Sequence, residues 1–346
     1  MTTKPDFCKS CPIDRYTSGY MPIKIGTNKT LFVGEAAGDD EIISGKPFTG
    51  GAGSWLRSLC GAARVDLANS SLVNVIGCHP ENNVFPGDIK WHHTPRDMAR
   101  QAVAYCAEHH LKPAIAKANP DRIIALGAKA LEGLTNRKGI SIWRGSPLPL
   151  WGDGPPKVIP TLHPAYIMRQ ANLFSIVIGD LKKSLTLPPE NYNLYPTLAE
   201  VSSFVSKKFA FDFEWDSHGN ITLCGLSDRY YSAIVVPFEG EYINLLKRIF
   251  ESAEEIIGHN IINADMSYFD RLGWNVDHVK ISDTMLKQHL IQPDYKHDLG
   301  LVASIFTNKV FWKGKGIEFE DEVTGEVIPN NVQWKTWDKP WGIPRE

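Results

Sequence analysis

No stretch of this chain approaches the roughly 18 unbroken apolar residues of a membrane span, so no transmembrane helix and no membrane partner are expected. The N-terminal MTTKPDFCKSCP has no apolar core behind its positive charge and is not expected to act as a secretory signal. Cysteine is scarce, six in 346 residues, which excludes a disulfide scaffold. These absences predict a reducing, cytoplasmic setting in which cysteines act as metal ligands or buried thiols. Internal repeats and low-complexity tracts are missing too, which excludes solenoid and fibrous architectures.

What is present is an ordinary globular composition, 43% hydrophobic and 22% charged, over a length that favours two domains. The net charge of −2 conceals an asymmetry. Residues 1–190 hold 22 Lys and Arg against 16 Asp and Glu, whereas residues 191–346 hold 15 against 23. The basic half suits phosphates, and the acidic half suits metal-binding carboxylates.

Short apolar runs at 29–35, 71–78, 122–127 and 157–162 read as buried strands. Between them, SWLRSLCGAARV and PRDMARQAVAYCAEHHLKPAIAKA carry helical periodicity. This alternation predicts a parallel sheet covered on both faces, with Glu35, Asn74 and His163 at strand ends that meet on one edge. The Pro- and Asn-rich stretch after residue 185 reads as a linker at 186–196, between domains at 1–185 and 197–346. Beyond it, KKFAFDFEWD, NITLCGLSD and YYSAIVVPF suggest an antiparallel meander followed by helices.

GEAAGDDEIISGKPFTGGAGSWL begins at a strand end and finishes at a helix start, where Ser54 is the expected N-cap. Its glycines, Gly34 and Gly38 among them, allow backbone to approach a ligand closely. This string, with NVIGC at 74–78 and HPAYIMR at 163–169, resembles the iron–sulfur uracil-DNA glycosylases of family 4 over about residues 5–185. The resemblance implies a three-layer αβα domain that acts on uracil-containing DNA. It makes Glu35 the active-site acid, Phe48 the ring stacked on a flipped base, Asn74 the amide that reads the uracil edge and His163 the stabiliser of the departing base. Gly34, Gly38 and Arg169 would line the substrate. The residue types suit the chemistry, because a carboxylate favours an oxocarbenium-like sugar and an imidazole N–H favours a base anion. Ala37 stands where the family usually has proline, which predicts a looser loop around Glu35.

Cys8, Cys11, Cys78 and Cys106 match the family's ligands for a 4Fe-4S cluster. Zinc is the competing reading, although zinc sites more often pair two close Cys couples and here 27 residues separate the second pair. Cys60 and Cys224 sit in apolar patterns and read as core. The interval before Cys106 contains IKWHHTPRD, reminiscent of a loop in related glycosylases that become covalently trapped on DNA through a histidine. His92 or His93 would be that nucleophile. The preferred reading is a solvated insertion that contacts phosphates, because the accompanying run of arginines is missing.

In FDFEWD, Asp212 and Glu214 lie two apart on a strand and share a face, as Mg²⁺ or Mn²⁺ ligands require. Asp265 follows at a strand-to-helix junction. The order resembles the DEDD-type 3′–5′ proofreading exonucleases, which implies an RNase-H-like mixed sheet with two catalytic metals. The family's last motif, Tyr or His followed four residues later by Asp, is missing, and Trp334 and Asp338 have only its spacing. The whole resembles the front of a phage-type family A DNA polymerase, in a bacterial or phage-infected host. Expected partners are DNA, a downstream polymerase region and replication proteins. The competing reading makes the first domain a non-catalytic reader of uracil that tethers a polymerase or nuclease.

Overall fold

A computed structural model describes residues 3–152, 154–186, 189 and 191–309, with the backbone of Glu318–Glu320 and Val327–Pro329. Trp334 and Asp338 lie outside the described residues. The chain divides into two compact units, Met1–Leu187 with Ala303–Glu346, and Pro188–Val302.

In the first unit, β1 (Thr30–Gly34), β2 (Ser71–Asn74), β3 (Arg122–Leu126) and β5 (Pro156–Thr161) are parallel, and the two-residue β4 (Leu148–Pro149) closes one edge antiparallel. The sheet order is β2-β1-β3-β5-β4. Its strands are apolar on both sides because both faces are covered. Leu31, Val33, Ile123 and Ala125 enter one core cluster, while Phe32, Leu72, Ile124 and Ile159 enter the other. Helices α1 (Asp39–Ser44) and α2 (Gly51–Ala63) follow β1. The long helical pattern after residue 95 is interrupted: α3 (Arg96–Cys106) passes through a π-turn (Ala107–Leu111) into α4 (Lys112–Ala118). The short helices α5 (Ala128–Thr135) and α6 (Pro164–Ile167) begin immediately beyond the ends of β3 and β5, and α7 (Phe174–Leu181) packs back on the sheet.

Two details differ from the sequence expectations. Helix α2 is capped by Gly50 rather than Ser54, whose N–H already bonds the Gly50 carbonyl at 3.0 Å. Glycines hide the first turn because they carry no apolar periodicity. The loop between β2 and α3 is only partly a solvated insertion: Lys90, His92 and Arg96 are exposed, but Phe85 and Trp91 are 5% and 4% exposed and enter two different core clusters.

The second unit holds a six-stranded mixed sheet. Strands β7 (Lys208–Trp215), β8 (Ile221–Arg229) and β9 (Ser232–Pro237) form the expected antiparallel meander. β6 (Asn191–Asn193) adds in parallel to β9, and β10 (Glu255–Gly258) and β11 (Lys280–Asp283) extend the other edge in parallel. Residues 191–193 thus pair as an edge strand inside the stretch that reads as linker; three polar residues give no strand signal. Phe209, Phe211 and Phe213 of β7 point into the core, leaving Asp212 and Glu214 exposed on the opposite face. Among the described residues no helix is long and apolar enough to cross a membrane.

The end of β5 is anchored by a buried ionic network. Asp180 is fully buried, accepts from Arg144 Nε at 2.9 Å and from a second Arg144 nitrogen, and accepts from the Thr161 hydroxyl at 2.8 Å. Removing one partner of such a pair strands the other charge in a medium that cannot solvate it. Asp180→Ala is therefore expected to lower the opening free energy of the first unit by about 3–5 kcal/mol, read from amide exchange in β1 and β3. A loss below about 1 kcal/mol, the scale of an exposed pair, would show that the network is not anchoring the sheet.

Candidate active site

The sheet register gathers the site. Gly34 pairs with Asn74 across β1 and β2, and Leu126 pairs with Thr161 across β3 and β5. Glu35, Asn74 and His163 therefore emerge at one end of the sheet and line one pocket of about 300 Å³, joined by Phe48, Gly38 and Arg169. Of the residues expected at the substrate, only Gly34 is off the wall. Its role is steric, because a Cβ there would stand 2.3 Å from Asn74 Oδ1 and 2.8 Å from Phe48 Cζ. A bare backbone at 34 lets the amide and the ring close on one volume.

Phe48 has φ +55°, a left-handed conformation costly for an aromatic residue. Arg57 donates to its carbonyl at 2.9 Å, and a Cβ at residue 53 would fall 1.7 Å from that oxygen, so only glycine fits at Gly53. Asn74 is 4% exposed. His163 caps α6, its Nδ1 accepting the Ala165 N–H at 3.2 Å. That contact leaves the ring proton on Nε2, free to donate into the pocket. Burial, reinforced by the Arg169 charge, lowers the His163 pKa to about 4, so the ring is neutral at physiological pH. Burial raises the Glu35 pKa, with Lys129 opposing and Asp88 adding to the shift. Gly127, at φ +88°, lies where a Cβ would meet that of His163 at 2.9 Å.

Several contributors carry no sequence signal of their own. Glu41 accepts from Gly38 N–H at 3.0 Å and Gly50 N–H at 3.2 Å, clamping the two glycine stretches together. The Gly38 N–H is thereby engaged within the protein. Ala37, in the expected loose loop, is fully buried, and its carbonyl accepts from His79 Nδ1 at 2.7 Å. The loop is thus held by a hydrogen bond and by packing, without the fixed φ of a proline. Tyr166, beside Arg169 at the rim, also lines the pocket. Neither His92 nor His93 lines it. His93 stacks on Tyr16 at 5.2 Å and reaches Glu81 at 3.5 Å, while His92 Nδ1 donates to the Lys90 carbonyl at 3.0 Å.

Cys8, Cys11, Cys78 and Cys106 line one further, small cavity with apolar neighbours such as Phe7, Ile13 and Ile76. Burial pushes the Cys8 thiol to about 11 and Cys106 to about 12, so these sulfurs are neutral thiols in the absence of a compensating cation. Among the described residues no group of three or more His, Cys, Asp or Glu converges as a metal-ion site. Cys60 and Cys224 are buried in core clusters. In the second unit, Asp265 is 2% exposed and accepts the Phe213 N–H at 3.1 Å. Burial, opposed by that hydrogen bond and reinforced by the charges of Asp212 and Glu214, raises its carboxyl to about 6. The three acids therefore form one electrostatic group.

Comparison with known proteins decides the family. A family model for the uracil DNA glycosylase superfamily matches residues 23–182. The type-4 uracil-DNA glycosylase of Thermotoga maritima is 34% identical over 185 residues, 51% of this chain and 87% of that protein. The chain belongs to the uracil-DNA glycosylase superfamily. The type-4 enzyme of Archaeoglobus fulgidus is 29% identical over 185 residues, 85% of its own length. A 3′–5′ exonuclease model matches residues 194–320. The chain thus joins a domain of the uracil-DNA glycosylase superfamily to an exonuclease-type domain.

Of the two shifted groups, Glu35 is the one that titrates first on acidification. A carboxylate that must be ionised loses function as pH falls through its pKa, and that of Glu35 lies above the ordinary value. The rate of base release is expected to fall on acidification at a pH higher than about 4.3, the free glutamate value. His163, near 4, takes its proton later and does not set this limb. A rate profile that stays level below about pH 4.3 would remove Glu35 as an ionised catalyst.

Proposed function

We propose that the pocket accepts a uracil flipped from DNA and that Glu35, Asn74, Phe48 and His163 carry the hydrolysis of its N-glycosidic bond. A base within a duplex stack cannot be reached, so it must leave the helix and be held by stacking and edge contacts. Phe48 supplies the stacking face. The Asn74 amide offers one donor and one acceptor, which complement the uracil N3–H and O4 and mismatch cytosine. As the bond breaks, negative charge develops on the base, and the His163 Nε2–H donates to a base oxygen. A neutral donor suits this step, because it stabilises the anion without first having to lose its own hydration. Positive charge develops on the sugar, where the desolvated Glu35 carboxylate acts at low dielectric and is more effective than in water; water then bonds to the sugar C1′, and the proton it gives up neutralises the departed base. Arg169, exposed at the rim, is placed to meet a DNA phosphate. The observation that carries this reading is the convergence of all four side chains on one pocket.

Cys8, Cys11, Cys78 and Cys106 fit a 4Fe-4S cluster: four soft donors face one apolar cavity, and iron supplies the charge that buried thiolates need. When bound, the cluster cross-links the N-terminal turn, the segment after β2 and the end of α3. Asp212, Glu214 and Asp265 do not converge as a ready cation site, but a divalent cation drawn to them would relieve their mutual repulsion. We infer a reducing, DNA-containing compartment and a polymerase region or replication proteins as partners. Two competing readings lack support. A passive uracil reader has no use for a desolvated acid and an imidazole donor in one pocket, and covalent trapping needs His92 or His93 in a pocket that neither lines.

The test is release of free uracil from a uracil-containing oligonucleotide. Asn74→Ala and His163→Ala are each expected to lower the rate about 100-fold or more. DNA affinity should change little, because phosphates supply most of it. No SDS-resistant protein–DNA adduct should form. Wild-type rates in both variants, or a boiling-resistant adduct lost on replacing His92, would overturn the assignment.

A further inference from the structure

On the far side of Asn74 from the pocket, one buried imidazole ties the strand end to the thiol-lined cavity. His110 is 3% exposed and lies in the π-turn Ala107–Leu111, four residues beyond Cys106. Residues four apart on a helix share a face, so turning Cys106 to the cavity brings His110 to the adjoining wall. Single π-turns interrupt regular bonding and recur at functional sites.

His110 Nε2 is 3.1 Å from the main-chain oxygen of Asn74, and Nδ1 is 2.8 Å from the Tyr20 hydroxyl. A carbonyl can only accept, so Nε2 carries the proton. The remaining lone pair on Nδ1 then takes the Tyr20 O–H. Burial keeps the ring neutral, with its pKa lowered to about 4. Tyr20 itself lines the cavity shared by the four cysteines. Gly77, immediately before Cys78, is the meeting point: a Cβ there would stand 2.5 Å from the Tyr20 ring and 3.0 Å from His110. Asn74 has little slack on its other side, since its Oδ1 already crowds the bare backbone of Gly34.

We propose that His110 is a positioning residue for uracil recognition, its imidazole fixing the Asn74 backbone against the thiol-lined cavity so that the Asn74 amide stays in register with Phe48. Tyr20 acts one step behind by selecting the tautomer that donates to Asn74. The proposal rests on the reading of Asn74 as the amide that meets the base. It gives the cysteine cavity a second consequence beyond cross-linking, because a disturbance there reaches the pocket through one side chain.

The test compares iron-loaded wild type with His110→Phe, His110→Gln and Tyr20→Phe, reading kcat and KM for uracil release together with visible absorption. His110→Phe is expected to keep its absorption and its KM while kcat falls about 10- to 100-fold, the scale for a misplaced reacting group. His110→Gln, which retains a donor for Asn74 and an acceptor for Tyr20, should recover most of that loss. Tyr20→Phe should fall between them. Wild-type kcat in His110→Phe overturns the proposal, as do equal losses in His110→Phe and His110→Gln, or bleaching that accompanies the loss. If His110→Phe does not fold, Tyr20→Phe decides: lowered kcat with intact absorption supports the relay, and wild-type kcat overturns it. A wild-type chain that releases no uracil overturns the Asn74 reading, and this proposal with it, before any variant is compared.

Discussion

The in-register pairing of parallel strands in the first unit governs everything the site does. Because Gly34 pairs with Asn74, and Leu126 with Thr161, three loops leave the sheet at one level and in one direction. A shift of one residue in any strand would turn its functional side chain to the opposite face. The acid, the amide and the imidazole are thus placed by hydrophobic pairing in the strands beneath them. Thr161 adds a fixed point, hydrogen-bonded to the buried Asp180 only two residues before His163.

Above that base, the pocket depends on hydrogen bonds to main-chain atoms. Glu41 holds Gly38 and Gly50, His79 holds Ala37, Arg57 holds Phe48, and His110 holds Asn74. Each bond satisfies a loop carbonyl or N–H that would otherwise face a poorly hydrated interior. Glycine complements them at 34 and 53, where any Cβ would push the Asn74 amide or Phe48 out of place. The active groups sit on loops, but those loops are stiffened from behind.

Much of this was legible in the residues. The buried strands, the convergence of Glu35, Asn74 and His163 and the exposed pair Asp212 and Glu214 follow from periodicity and strand alternation, and the grouping of four cysteines follows from the family resemblance. What was hidden depends on long-range contact. Nothing near His110 announces that it meets Asn74, 36 residues away, because the partner is a main-chain oxygen and carries no side-chain signature. His79 and Ala37 are hidden in the same way, so the missing proline reads as a loss although the fold replaces its effect. The helix start at Gly51 and the edge strand Asn191–Asn193 escape pattern reading because neither shows an apolar repeat. The loop holding Phe85 and Trp91 reads as polar because its buried aromatics are isolated among polar neighbours.

The most direct test of the central claim is a crystal structure of the iron-loaded chain with DNA that carries 2′-fluoro-2′-deoxyuridine, whose fluorine disfavours the cationic sugar and leaves the base attached. The account predicts the uracil in the pocket, stacked on Phe48, with its edge hydrogen-bonded to the Asn74 amide and an oxygen facing His163 Nε2. A uracil left in the helix, or bound away from Asn74 and His163, would contradict it.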